Sequence, residues 1–224
     1  MPIKNNIAVL SKSWILAFAL LLTGSVFGVF LSHDSGSRFY PAHRNFAERK
    51  DISKAEAMNR LKEKVQLAEE YVDEKGFDVS YCFLIDMRLP SGKNRFFVYN
   101  MLKDSLELSG LVTHGKGSEN GSDDLIFSNK PNSNCTSLGK YKMGNSYNGL
   151  FGLSYKLHGL EKSNDNAFQR SVVLHCFNGV PNKEVYPNQI CVSEGCPTVS
   201  PEFFDQLKIL MDEAQEPILL WIYY

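Results

Sequence analysis

The sequence carries no excess of either charge: 24 lysines and arginines stand against 25 aspartates and glutamates. With a net charge of −1 and no basic stripe, it has no electrostatic footprint for nucleic acid. No carboxylate pair or H-E-x-x-H pattern supports glycosidase or metalloprotease chemistry. His114-Gly-Lys-Gly has glycines and a lysine, but it lacks the Walker spacing and the helix that should follow, so nucleotide binding finds no support. Internal repeats and low-complexity tracts are absent. Cysteine is scarce and odd in number. With five, at least one is unpaired within the chain unless a metal or another chain takes it.

What is present fits one globular domain of ordinary size with an appendage. The chain has 224 residues, 43% hydrophobic and 22% charged, enough to bury a core. The 12% of aromatic residues argues against disorder. The appendage is N-terminal. Met1–Ser13 is polar, with Lys4 and Lys12, and Trp14–Leu31 (WILAFALLLTGSVFGVFL) holds no charge. Such a run is long enough to cross a bilayer, and the lysines before it place the rest of the chain outside the cytoplasm. A cleaved signal peptide is the rival reading. The run ends Val-Phe-Leu-Ser without an A-x-A site, which favours an uncleaved anchor. Residues 32–50 read as a polar, basic linker.

Ser53–Lys75 is expected to be an amphipathic helix. Ser53-Lys-Ala-Glu56 forms a capping box, Leu61, Val65, Ala68 and Val72 mark one apolar face, and Gly76 is a stop. From Phe77 to Tyr224 the pattern is mainly β. Strands are expected at Val79–Asp86, Arg95–Tyr99, Leu106–Thr113, Lys140–Met143, Leu153–Leu157, Ser171–His175 and Ile218–Tyr224. His114 to Asn134 is rich in Gly, Ser and Asn and demands loops. Ser200-Pro201 starts a short helix, with serine as N-cap and proline in the first turn. Pattern alone leaves both a sandwich and a barrel open. The resulting division is 1–13, a membrane segment at 14–31, linker and helix at 32–76, and a β domain at 77–224.

The stretch that carries chemistry is Ser171–Ser200. It opens as a hydrophobic strand delivering His175 and closes on Ser193-Glu-Gly-Cys196. If the loop between them folds back, His175 becomes a base beside a Cys196 nucleophile. Gly195 lets a substrate approach the backbone, and the amides of Gly195 and Cys196 could bond a developing oxyanion. Two blander readings compete. Cys191 and Cys196, with His175 and Cys176 upstream, have zinc-like spacing, although adjacent strand residues point to opposite faces. Alternatively, Cys196 is an inert thiol, and Cys176 and Cys191 flank a loop that a disulfide could staple. Cys82 and Cys135 could pair or stay buried.

A strand-borne histidine, a loop and then S-x-G-C resembles the L,D-transpeptidase catalytic domain, the YkuD-like fold. The closer similarity is to its divergent murein branch. It is carried by Ile85-Asp-Met-Arg-Leu-Pro-Ser-Gly92, His114-Gly-Lys-Gly, Phe127-Ser-Asn129, Ser137-Leu-Gly-Lys-Tyr141, Tyr147-Asn-Gly, Gly152-Leu-Ser, Asn164-Asp-Asn-Ala and Gly195-Cys-Pro, in order over about Phe77 to Tyr224. The resemblance implies a mainly β sandwich or squashed barrel with a few short helices. It implies peptidoglycan stem peptides as substrate, no cofactor, and a place on the outer side of the inner membrane. Cys196 would form a thioester with a donor stem and His175 would move the protons. An ion pair between them at neutrality and a backbone carbonyl orienting the imidazole are also expected. His114, Tyr147, Asn148, Ser193 and Glu194 become candidates for substrate contact. Water as acceptor would make the same residues an L,D-carboxypeptidase, and a wall-binding domain without catalysis is a third reading. Two departures stand out. Cys176 replaces the usual glycine after the histidine, and the arginine normally two positions after the cysteine is absent, Pro197-Thr-Val standing there instead.

Overall fold

The computed structural model describes residues 52–121 and 124–224. The expected membrane segment at 14–31, the residues before it and the linker through Lys50 lie outside them. Among the described residues no helix is long and apolar enough to cross a membrane.

The first element, α1 (Lys54–Lys75), starts as the capping box predicts: Glu56 N–H donates to Ser53 Oγ at 3.1 Å. It ends at Gly76, whose left-handed φ of 71° lets its N–H reach Val72 O. The strands are β1 (Tyr81–Asp86), β2 (Phe96–Asn100), β3 (Ser105–Gly110), β4 (Gly139–Gly149), β5 (Gly152–Gly159), β6 (Val173–Cys176), β7 (Thr198–Val199) and β8 (Leu219–Tyr223). Helix α2 (Pro201–Glu213) lies between the last two.

All eight strands join one mixed sheet in the order β3-β2-β1-β8-β4-β5-β6-β7. The C-terminal β8 sits in its middle, parallel to β1 and antiparallel to β4. Both faces of this centre are buried, so β1 reads as a continuous apolar run. Cys82 and Leu84, with Leu219 and Tyr223, pack under Leu61, Val65, Ala68 and Val72 of α1. Phe83 and Ile85, with Leu220 and Ile222, face the main core, which α2 closes with Phe203, Phe204 and Leu207. Phe96 meets Phe203 edge to face, centroids 5.3 Å apart.

The main core draws on both halves of the sheet, from Phe96 on β2 to Leu174 and Val199 on β6 and β7. The sheet therefore wraps around it. Past β3 the chain reaches the opposite edge, where Thr113 N–H donates to Thr198 O at 2.9 Å. The result is a nearly closed barrel built from a single sheet, and the sandwich alternative is not the one found. Several strands differ from expectation, β3 among them, which ends at Gly110 and not Thr113. β4 runs to Gly149, well past Met143, with a register irregularity between Met143 and Ser146. Tyr147-Asn-Gly is therefore strand, and the turn is at Leu150-Phe151. β6 starts at Val173, because Ser171 takes a left-handed φ of 57°. Two-residue β7 was not anticipated; its pattern is too short to read.

Candidate active site

On β6 the side chains alternate. Leu174 and Cys176 face the main core, and Val173 and His175 face the other way. The ring of His175 is 1% exposed. Its Nδ1 lies 3.1 Å from the carbonyl oxygen of Cys176. A carbonyl only accepts, so Nδ1 carries the hydrogen and Nε2 the lone pair. Thr198, opposite His175 on β7, places Oγ1 3.0 Å from that Nε2. The β4–β5 hairpin lays Phe151 flat on the imidazole, centroids 4.3 Å apart.

The loop after β6 returns to the same place. Ser193 is pinned to the segment after β3: its N–H donates to His114 O at 2.9 Å and its carbonyl accepts from Lys116 N–H at 2.7 Å. Its hydroxyl accepts from Gly195 N–H at 3.1 Å and donates to Cys196 O at 2.6 Å. Cys196 Sγ then lies beside the backbone entering β6, 3.5 Å from Val173 N and 3.8 Å from Ser171 O. His175 and Cys196 share a pocket of about 280 Å³, with Phe151, Arg170, Ser171 and Glu194 also on its wall.

Burial governs both groups. It pushes the His175 imidazole down to about 4, against the pull of the Cys176 carbonyl. It pushes the Cys196 thiol up to about 11; the Val173 amide and the Arg170 charge oppose that, and Glu194 adds to it. Burial thus opposes charge on both groups.

The other sequence candidates divide. Ser193 and Glu194 line the pocket, and Glu194 pairs with Lys116 at 3.1 Å. Tyr147 lies in a neighbouring pocket with Lys156 and Phe168, joined to the first through Ser171. Asn148 is exposed near the end of β4 and lines neither. His114 lies apart from these. It is 1% exposed and off the pocket wall. Its Nδ1 accepts from the buried Arg95 guanidinium at 3.0 Å, and its Nε2 faces Glu119 at 3.3 Å. It holds the loop that holds Ser193. Of the two expected oxyanion donors, Gly195 N–H is already engaged by Ser193. Cys196 N–H has no partner among the described residues.

The considered Cys176–Cys191 bridge is not formed, and all five cysteines are free thiols. Cys176 packs on the main core, whereas Cys191 packs with Val180 and Ile190 in a separate cluster. Among the described residues no three metal-binding side chains of His, Cys, Asp and Glu converge on a common point.

Arg170 was missed. Its Nη2 donates to Cys135 O at 2.6 Å and its Nη1 to Ser128 O at 3.0 Å, tying the 128–137 loop to the pocket. It brings a cation to Cys196 from the residue before Ser171. The only signal was a lone arginine at the entry to β6.

No curated protein matches the sequence. The solved structures it resembles are distant. An L,D-transpeptidase from Mycobacterium smegmatis aligns at 11% identity and a TM-score of 0.39, over 65% of this chain and 59% of that one. The helical cell shape determining protein Pgp2 from Campylobacter jejuni aligns at 12% and 0.41, over 64% and 47%. Bd1075 from Bdellovibrio bacteriovorus aligns at 15% and 0.41, over 66% and 49%. The chain thus spans about half to three-fifths of their lengths. The family model is more decisive, for it matches residues 51–223, every strand and helix described above. The chain belongs to the L,D-transpeptidase catalytic domain family.

Proposed function

We propose that the chain is a peptidoglycan L,D-transpeptidase that works through a thioester on Cys196. The observation that carries this reading is the shared pocket: Cys196 Sγ and a histidine whose Nε2 holds the lone pair open onto one cavity. His175 takes the thiol proton as Sγ attacks the carbonyl that follows the L-centre of diaminopimelate in a donor stem. Cys196 N–H faces the developing oxyanion, with the Arg170 charge behind it. The terminal D-alanine leaves with the proton from His175. An amine of a second stem then attacks the thioester and releases the thiol. Placement in the cell envelope, through an N-terminal anchor, belongs to the same proposal.

The test is the purified protein incubated with disaccharide-tetrapeptides and its products weighed by mass spectrometry. Cross-linked dimers are expected. Tripeptide alone would make the protein an L,D-carboxypeptidase, and binding without turnover would make it a wall-binding domain. Cys196→Ala is expected to abolish product and His175→Ala nearly so. Full activity in Cys196→Ala would sink the mechanism.

A further inference from the structure

We infer that Thr198 is a positioning residue for His175, whose hydroxyl donates to Nε2 of the resting imidazole and then reverses to accept from the imidazolium. The inference rests on the reading of Cys196 and His175 as nucleophile and base. Thr198 stands two residues after Cys196, where the sequence lacks the expected arginine. It is fully buried. Its backbone is fixed on both sides: its N–H donates to Thr113 Oγ1 at 3.2 Å and its carbonyl accepts from Thr113 N–H at 2.9 Å. Only the hydroxyl is left to turn.

At rest the bond must run from Thr198 O–H to Nε2, because the ring hydrogen is on Nδ1 facing the Cys176 carbonyl. The hydroxyl has a second acceptor, the Cys196 carbonyl oxygen, at 3.4 Å. When the thiol proton moves to Nε2, the sulfur becomes thiolate and the ring becomes imidazolium. No other atom changes its proton count. The Thr198 hydrogen swings to the Cys196 carbonyl, and the freed oxygen lone pair accepts Nε2–H. The Nε2–Oγ1 contact survives with its polarity reversed. A charge-assisted bond of this kind is about twice as strong as its neutral counterpart, so the hydroxyl favours the charged ring. Valine has nearly the same shape and offers neither polarity. It would leave an imidazolium N–H buried without that acceptor.

The test follows alkylation of Cys196 by iodoacetamide against pH, read on the Cys196 peptide of the full-length protein by mass spectrometry. In Thr198→Val the apparent thiol pKa should rise by about one pH unit, with alkylation at neutral pH roughly tenfold slower. Thr198→Ser should track the wild type. A wild-type profile in Thr198→Val would overturn the inference. So would equal loss in both variants, which marks packing and not the hydroxyl. If Thr198→Val does not fold, nitrogen NMR of histidine-labelled wild-type protein decides. Protonated Nδ1 with a hydrogen-bonded, unprotonated Nε2 at pH 7 supports the inference, and the opposite tautomer overturns it. None of these readouts requires turnover, so failure of the peptidoglycan assay would leave them standing.

Discussion

Gly195 sits tight against the Cys135 carbonyl and the Arg170 side chain. A Cβ there would lie 2.8 Å from Cys135 O, and its φ of 116° is one that L residues avoid. Gly195→Ala is expected to lower stability by about 1–3 kcal/mol in chemical denaturation and to slow Cys196 alkylation, because the 193–196 loop must move. His175 gives a pH prediction. It titrates near 6.5 unfolded and about 4 folded, so between these values the unfolded chain binds the extra proton. Stability is therefore full above about pH 6.5 and is lost as pH falls toward 4, by at most about 3 kcal/mol. His175→Gln should flatten that slope in denaturation curves taken across the window. At this scale the sequence showed a histidine at a strand end and a cysteine in a glycine turn, because both have strong local signatures. Arg170, Phe151 and Thr198 had none. Arg170 and Phe151 reach the pocket from a loop and a hairpin tip, Thr198 reaches His175 from a two-residue strand, and only the folded sheet brings them together. His114 opens a glycine-rich stretch, and nothing local announces its buried arginine partner 19 residues upstream.

Among the elements, α1 and α2 were legible from their ends inward, since caps and apolar spacing are local. Central strands were legible from their hydrophobic content. β4 was not, since its second half, Gly144–Asn148, is polar and solvent-facing and holds its place by pairing with β5. The packing of α1 separates stability from chemistry. Leu61 is 1% exposed and rests on the face formed by β1, β2 and β8, while the pocket is lined by His175 of β6, the segments 169–171 and 193–196, Phe151 and the 131–134 loop. Leu61→Ala should cost about 2–5 kcal/mol in unfolding free energy. The rate of Cys196 alkylation under native conditions should not change.

For the whole molecule, the free thiols make a direct prediction. Denatured without reductant, each chain should take up five alkyl groups by intact mass, and reductant should leave the unfolding curve unchanged. The near-closure of the barrel was beyond the reach of sequence. It depends on Thr113 meeting Thr198, 85 residues later, and no pattern encodes that meeting. The placement of β8 also bears on how the chain folds. β1 emerges early in the sequence, yet one of its two edges waits for residues 219–223 to complete the ladder. Contacts of such long sequence separation form late and slowly. Folding of the barrel cannot run from one end to the other, and deletion of β8 would split the sheet at its middle instead of trimming an edge. The pocket beside β6 would then lose the far half of the core that supports it.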